Sequence, residues 1–129
     1  MTAKTSALII GIIFIAVGLL GFIDNSIIGT SDNAIFHADT VHNMVHIGSG
    51  ILFILFALAA TGSTGTFLIV FGIVYLAIGI LGLISFGAKG MGTVLGILHV
   101  NGADNLLHVA LGAVIFLAGI VSRKTVTVH

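Results

Sequence analysis

Four apolar runs alternate with mixed segments along the chain: Ala7 to Ile23, Val41 to Ala60, Phe67 to Phe86 and Asn105 to Val121. Each is close to the roughly 17 to 25 residues that cross a bilayer as a helix. The segments between them are too short to form a domain of their own. The pattern also repeats. Ala7 to Ile23 aligns with Leu68 to Ile84, matching Gly11 to Gly72, Ala16 to Ala77, Gly18 to Gly79 and Gly21 to Gly82. Ala34 to His46 aligns with Gly96 to His108, matching His37 to His99, Asn43 to Asn105 and His46 to His108, with His42 opposite Asp104. A segment duplicated as an internal span belongs to the fold and is not a cleaved leader.

Each repeat holds one span out and one back, so the second copy starts on the same side as the first. Parallel repeats of this kind are related by a pseudo-two-fold axis along the membrane normal, which brings equivalent residues to equal depth. The expected fold is all-α: an integral membrane antiparallel four-helix bundle built from two parallel two-helix repeats. It forms a single transmembrane domain over 1–129, with repeat 1 at about 7–60 and repeat 2 at about 67–121. Lipid tails are as apolar as leucine, so membrane helices associate through close approach at small residues. Gly11, Gly18 and Gly21 share one helical face, as do Gly72, Gly79 and Gly82, and both sets read as packing seams.

Composition agrees with immersion in a membrane. Hydrophobic residues make up 58% of the chain and charged residues 6%, far from the soluble globular range. The mean hydropathy is +1.31. The absence of cysteine rules out disulfides, iron–sulfur clusters and thiolate metal sites. The absence of proline removes that source of kinks. Zero net charge and immersion exclude a nucleic-acid role. Lys4, Arg123 and Lys124 lie at one end of the bundle, whereas Asp24, Asp32, Asp39, Asp104 and Lys89 lie at the other. The positive-inside rule then makes the termini cytoplasmic and turns the histidine end outward. The two outer connections, Asp24 to Thr40 and Gly87 to Ala103, carry apolar stretches suited to lying in the interface or folding over the outer mouth.

Five of the six histidines fall inside the repeated element. His42 and His46 stand at i and i+4, as do Asp104 and His108, so each pair faces one direction over a turn of helix. Duplication brings two such pairs to one depth. His42, His46, Asp104 and His108 therefore form a candidate set of three nitrogens and one oxygen for zinc, copper, nickel or iron. Asn43, Asn105, His37 and His99 are candidates for supporting hydrogen bonds. A haem b alternative uses His46 and His108 as facing ligands, since Gly50 and Gly112 follow each by one turn and leave a gap. In the structural alternative Asp104 caps the fourth span, His42 and Asn43 serve the start of the second, and His46 and His108 bond across the bundle to Asp104, Asn43 or backbone.

The foremost functional expectation is a structural or interaction module rather than an enzyme, with metal or haem binding as the rival. No nucleophile elbow, paired carboxylates, HExxH or phosphate loop is present. Below His46 and His108 the spans offer little polarity beyond Ser49 and Tyr75, which argues against an ion pathway. So few exposed polar residues leave homo-oligomers or membership of a larger membrane complex open.

The stretches G-L-L-G-F-I, H-N-M-V-H, V-Y-L-A-I-G-I-L-G-L and A-D-N-L-L-H-V-A-L-G, taken together, resemble a family of small bacterial four-span membrane proteins classed as a domain of unknown function. The resemblance covers nearly the whole chain. It implies a cytoplasmic-membrane location and four helices, and singles out His42, Asn43, His46, Asp104, Asn105 and His108 as the family's polar positions. It brings no activity with it.

Overall fold

In a computed structural model describing residues 1–31 and 33–126, four long helices carry the chain: α1 (Ala3–Leu20), α2 (Thr40–Ala59), α3 (Thr64–Phe86) and α4 (Gly102–Val126). All four are long and apolar enough to cross a membrane. The molecule is an all-α, multi-pass membrane bundle. Asp32 lies outside the described residues, and the Lys124 side chain is likewise not described. A 3-10 turn at Thr61–Ser63 joins α2 to α3, and the Thr64 hydroxyl donates to the Phe56 carbonyl at 2.8 Å, closing the reversal.

Glycine decides how the helices pair. In the first hairpin, a methyl group added at Gly11 would stand 2.8 Å from the Gly50 carbonyl, and one at Gly18 2.7 Å from the Asn43 carbonyl. In the second hairpin, one at Gly79 would stand 2.8 Å from the Asn105 carbonyl, and one at Gly72 2.5 Å from the Phe116 nitrogen. Equivalent glycines thus do equivalent work in α1–α2 and α3–α4, letting backbones touch where a Cβ has no room. Gly50 and Gly112 belong to the same seams, against Gly11 and Leu76 respectively. They are filled by the partner helix, so the gap anticipated beside the histidines for a porphyrin is not supplied by these glycines.

Between the hairpins the contact is made by side chains. Ala7, Phe14, Phe53, Ala57, Leu68, Tyr75 and Ile115 form one buried core. Aromatic rings dominate the side where α2 meets α3. Phe56 stacks on Phe67 at 4.1 Å, and Phe53 lies 5.0 Å from Phe67 and 4.5 Å from Phe71.

The outer connections are short β ribbons. In the first, β1 (Ile28–Gly29) pairs in parallel with β2 (Phe36–His37). Its hub is Asn25, whose amide nitrogen donates to the carbonyls of Leu20, Ile23 and Ile28, while its oxygen accepts from the amides of Ile27 and Ile28. In the second, β3 (Met91–Val94) pairs antiparallel with β4 (Leu98–Asn101). The turn between them holds Leu95 and Gly96 at φ 55° and 69°, the two left-handed positions that a tight hairpin turn of matching twist requires. Val94, Leu98 and Val100 pack as a small second core on Ile78 and Phe86, folding the hairpin over the end of α3.

Candidate functional site

Both helices that carry the polar cluster start with a side-chain cap, and the caps sit in equivalent places. Asp39 precedes α2 and accepts from the His42 amide at 2.9 Å. Asn101 precedes α4 and accepts from the Asp104 amide at 2.9 Å, while the Asp104 carboxylate accepts from the Asn101 amide at 2.8 Å. This reciprocal pair is a capping box. The same carboxylate accepts from the His37 amide at 3.0 Å, tying the first connection to the start of α4. Asp104 is therefore the third residue of its helix and not its cap, and Asp39, rather than His42 or Asn43, caps α2. A D-x-x-H and an N-x-x-D spacing ahead of each apolar run carried that signal.

Above these caps the imidazoles converge. One ligand-capable atom from each of His42, His46 and His108 lies within 4.8 Å of the others. His42 and His46 stack at 4.8 Å between ring centroids, as the i, i+4 spacing anticipates, and His108 lies 5.7 Å from His42 and 6.4 Å from His46. Asp104 is not among the three, and its Oδ2 accepts from the two amides.

The hydrogen bonds of the rings differ in a way that matters chemically. His42 Nδ1 stands 3.2 Å from the His99 carbonyl. A carbonyl only accepts, so Nδ1 carries the proton and Nε2 keeps its lone pair. A backbone acceptor behind one ring nitrogen is the arrangement that orients a metal-ligating histidine. His46 Nδ1 and His108 Nδ1 are buried with no hydrogen-bond partner among the described residues. The bonds that the structural alternative anticipated, from these two rings to Asp104, Asn43 or backbone, are not made by those atoms.

The other expected supporting residues take separate places. Asn43 and Asn105 turn away from the cluster into the hairpin seams, where Gly21 and Gly82 leave room for their amides. His99 supports His42 through its carbonyl. Its ring packs edge-on against His37 at 4.5 Å, and its Nδ1 lies 3.2 Å from the Thr93 hydroxyl. Burial, and then the neighbouring His99, hold His37 below the ordinary histidine range, with Asp39 acting in the other direction.

The floor of the cluster is aromatic. Phe14 lies 5.4 Å from His46, Tyr75 lies 4.7 Å from His108, and Phe14 and Tyr75 lie 5.3 Å from each other. Tyr75 is 6% exposed, and its hydroxyl has no hydrogen-bond partner among the described residues. All three histidines also line a cavity of about 580 Å³ between α1 and α4.

A family described as Domain of unknown function (DUF4383) matches residues 4–121. The chain belongs to this family. No curated protein and no solved structure matches it. Membership agrees with the resemblance drawn from the motif stretches and assigns the site no chemistry.

Proposed function

We propose that this DUF4383 protein is a membrane-embedded transition-metal-binding protein, with His42, His46 and His108 as its three nitrogen ligands. The observation that carries this reading is the convergence of three imidazoles, with one ligand atom of each within 4.8 Å of the others, two of the rings having a buried Nδ1 without a hydrogen-bond partner among the described residues. A buried polar atom left without a partner costs about 1 to 3 kcal/mol, which an ion would recover. Nitrogens bound at about 2.0 to 2.1 Å to one tetrahedral zinc stand about 3.4 Å apart, so small ring rotations close the set. Three neutral imidazoles suit zinc, copper, nickel or iron(II) and leave a coordination position open towards the cavity. The His42 bond to the His99 carbonyl also favours a structural contribution, since it ties the second connection to the first hairpin.

The test uses protein purified in detergent, stripped with EDTA and titrated with Zn²⁺ by calorimetry, with bound metal counted by elemental analysis. A single equivalent lost in His46→Ala and His108→Ala is expected. Binding that is absent, or that survives both substitutions unchanged, would sink the proposal.

For orientation we propose that the termini face the cytoplasm of a bacterial cell and that the metal centre lies towards the outer side. Lys4 and Arg123 at the inner end, against Asp24, Asp39 and Asp104 at the outer, support this reading.

A further inference from the structure

The two halves of the bundle are alike in their seams but fill the two spaces between them differently. Where α2 meets α3, the space is filled by Phe53, Phe56, Phe67 and Phe71. The repeat places Ile115, Ala118, Ser6 and Ile10 at the equivalent positions on α4 and α1. All four are smaller, and all four line the 580 Å³ cavity. The opening is therefore made by side-chain replacement at four positions within an otherwise repeated frame, and its volume is that of a small-molecule site.

Its shape and polarity restrict what fits. Residues 6 and 20 of α1 both line it, so at 1.5 Å per residue it runs about 21 Å along the helices, long and narrow. Its walls are apolar except for Ser6 at the inner end and the outer third, where His42, His46, His108, Asp104 and Tyr75 meet it. Ile28 and Ala38 of the first connection, both buried, close the outer end. Among the described residues no lysine or arginine lines it, and a carboxylate does, which disfavours an anionic head group. The Tyr75 hydroxyl, buried and unpartnered, offers one hydrogen bond inside.

We infer that the slot between α1 and α4 binds a neutral single-chain amphiphile, its hydroxyl or carbonyl oxygen accepting from Tyr75 beside the three histidines and its tail running inward past Ile10, Ile115 and Ala118. This site needs no metal. Where an ion is bound, the head group stands at its open position.

Tyr75 is the only tyrosine and the chain has no tryptophan, so intrinsic fluorescence reports this site alone. The protein would be placed in phosphatidylcholine vesicles, which add no fluorescent protein, EDTA-treated or zinc-loaded, and titrated with 2-bromododecan-1-ol, whose bromine quenches from the head-group end. Saturable quenching is expected in both forms, with at least tenfold weaker binding of 2-bromododecanoate in the EDTA-treated form, where no ion offsets the carboxylate's charge. The double substitution Ile10→Phe with Ala118→Phe installs residues that the other half already carries and should abolish the saturable component; Ser6→Phe, checked by its thermal melt, serves if the double variant does not fold. Quenching that rises linearly without saturation is bulk partitioning and overturns the inference, as does saturable quenching retained in a folded, cavity-filled variant. Preference for the carboxylate in the EDTA-treated form overturns the neutral head group. Loss of zinc binding with quenching intact would remove the metal reading alone.

Discussion

Phe14 and Tyr75 occupy the same place in the two repeats, and their rings meet 5.3 Å apart in the core. Each also packs on the histidine of its own hairpin. The pair differs by one hydroxyl, and that oxygen is buried without a partner. Tyr75→Phe makes the halves match and removes an unsatisfied group worth about 1 to 3 kcal/mol. The variant should melt at a higher temperature in detergent, by circular dichroism, while binding the bromo-alcohol more weakly by native mass spectrometry. A lower melting temperature would mean that the hydroxyl has a partner in the membrane.

The seams give a contrast between two glycines. A Cβ at Gly79 would stand 2.7 Å from the Val109 nitrogen, whereas one at Gly48 meets nothing within 4 Å. Overpacking of this kind typically costs about 1 to 3 kcal/mol. Gly79→Ala is expected to lower the melting temperature, and Gly48→Ala to leave it unchanged or raise it slightly through helix propensity. Equal behaviour of the two would show that α3 and α4 do not approach at Gly79.

Asp104 offers a separation of stability from ligation. Its carboxylate accepts from the Asn101 and His37 amides. Asp104→Ala removes both bonds, and loss of such helix-start interactions costs about 0.5 to 2 kcal/mol. Melting should fall while zinc stoichiometry stays as in the parent protein. Loss of the metal in a variant that still folds would restore Asp104 to the ligand set.

Topology is open to labelling, because Ser31 and Ser63 are both exposed and lie at opposite ends of the bundle. With the termini cytoplasmic, an impermeant thiol reagent applied to intact cells should modify Ser31→Cys and spare Ser63→Cys. The reverse result would invert the orientation.

The spans, the hairpin pairing and the glycine faces were legible because composition and a 3.6-residue period alone determine them. Helical spacing also placed His42 and His46 side by side. It did not say what each face would meet, and there the sequence reading and the structure part. Asp104 shares a face with His108, yet its carboxylate accepts from the Asn101 amide at the start of α4 and from the His37 amide of the first connection. Asn43 follows His42 and Asn105 follows Asp104 by one residue, and the 100° step between neighbours turns them into the seams. Asn25, which organises the first connection through five hydrogen bonds, carried only the weak signal of an asparagine just beyond an apolar run. The β ribbons are too short for alternation to mark them.

The glycine seams lie inside each hairpin, between α1 and α2 and between α3 and α4, while the halves meet through bulkier side chains and a few loop hydrogen bonds. That distribution predicts an order of assembly. The first hairpin has all its backbone-to-backbone contacts once its second helix has entered the bilayer, before the second hairpin is made. The second closes on its own seam in the same way. Only then does the His37 amide meet Asp104, so the histidine that α4 contributes is the last to arrive, and the cluster comes into being at the step that joins two finished halves.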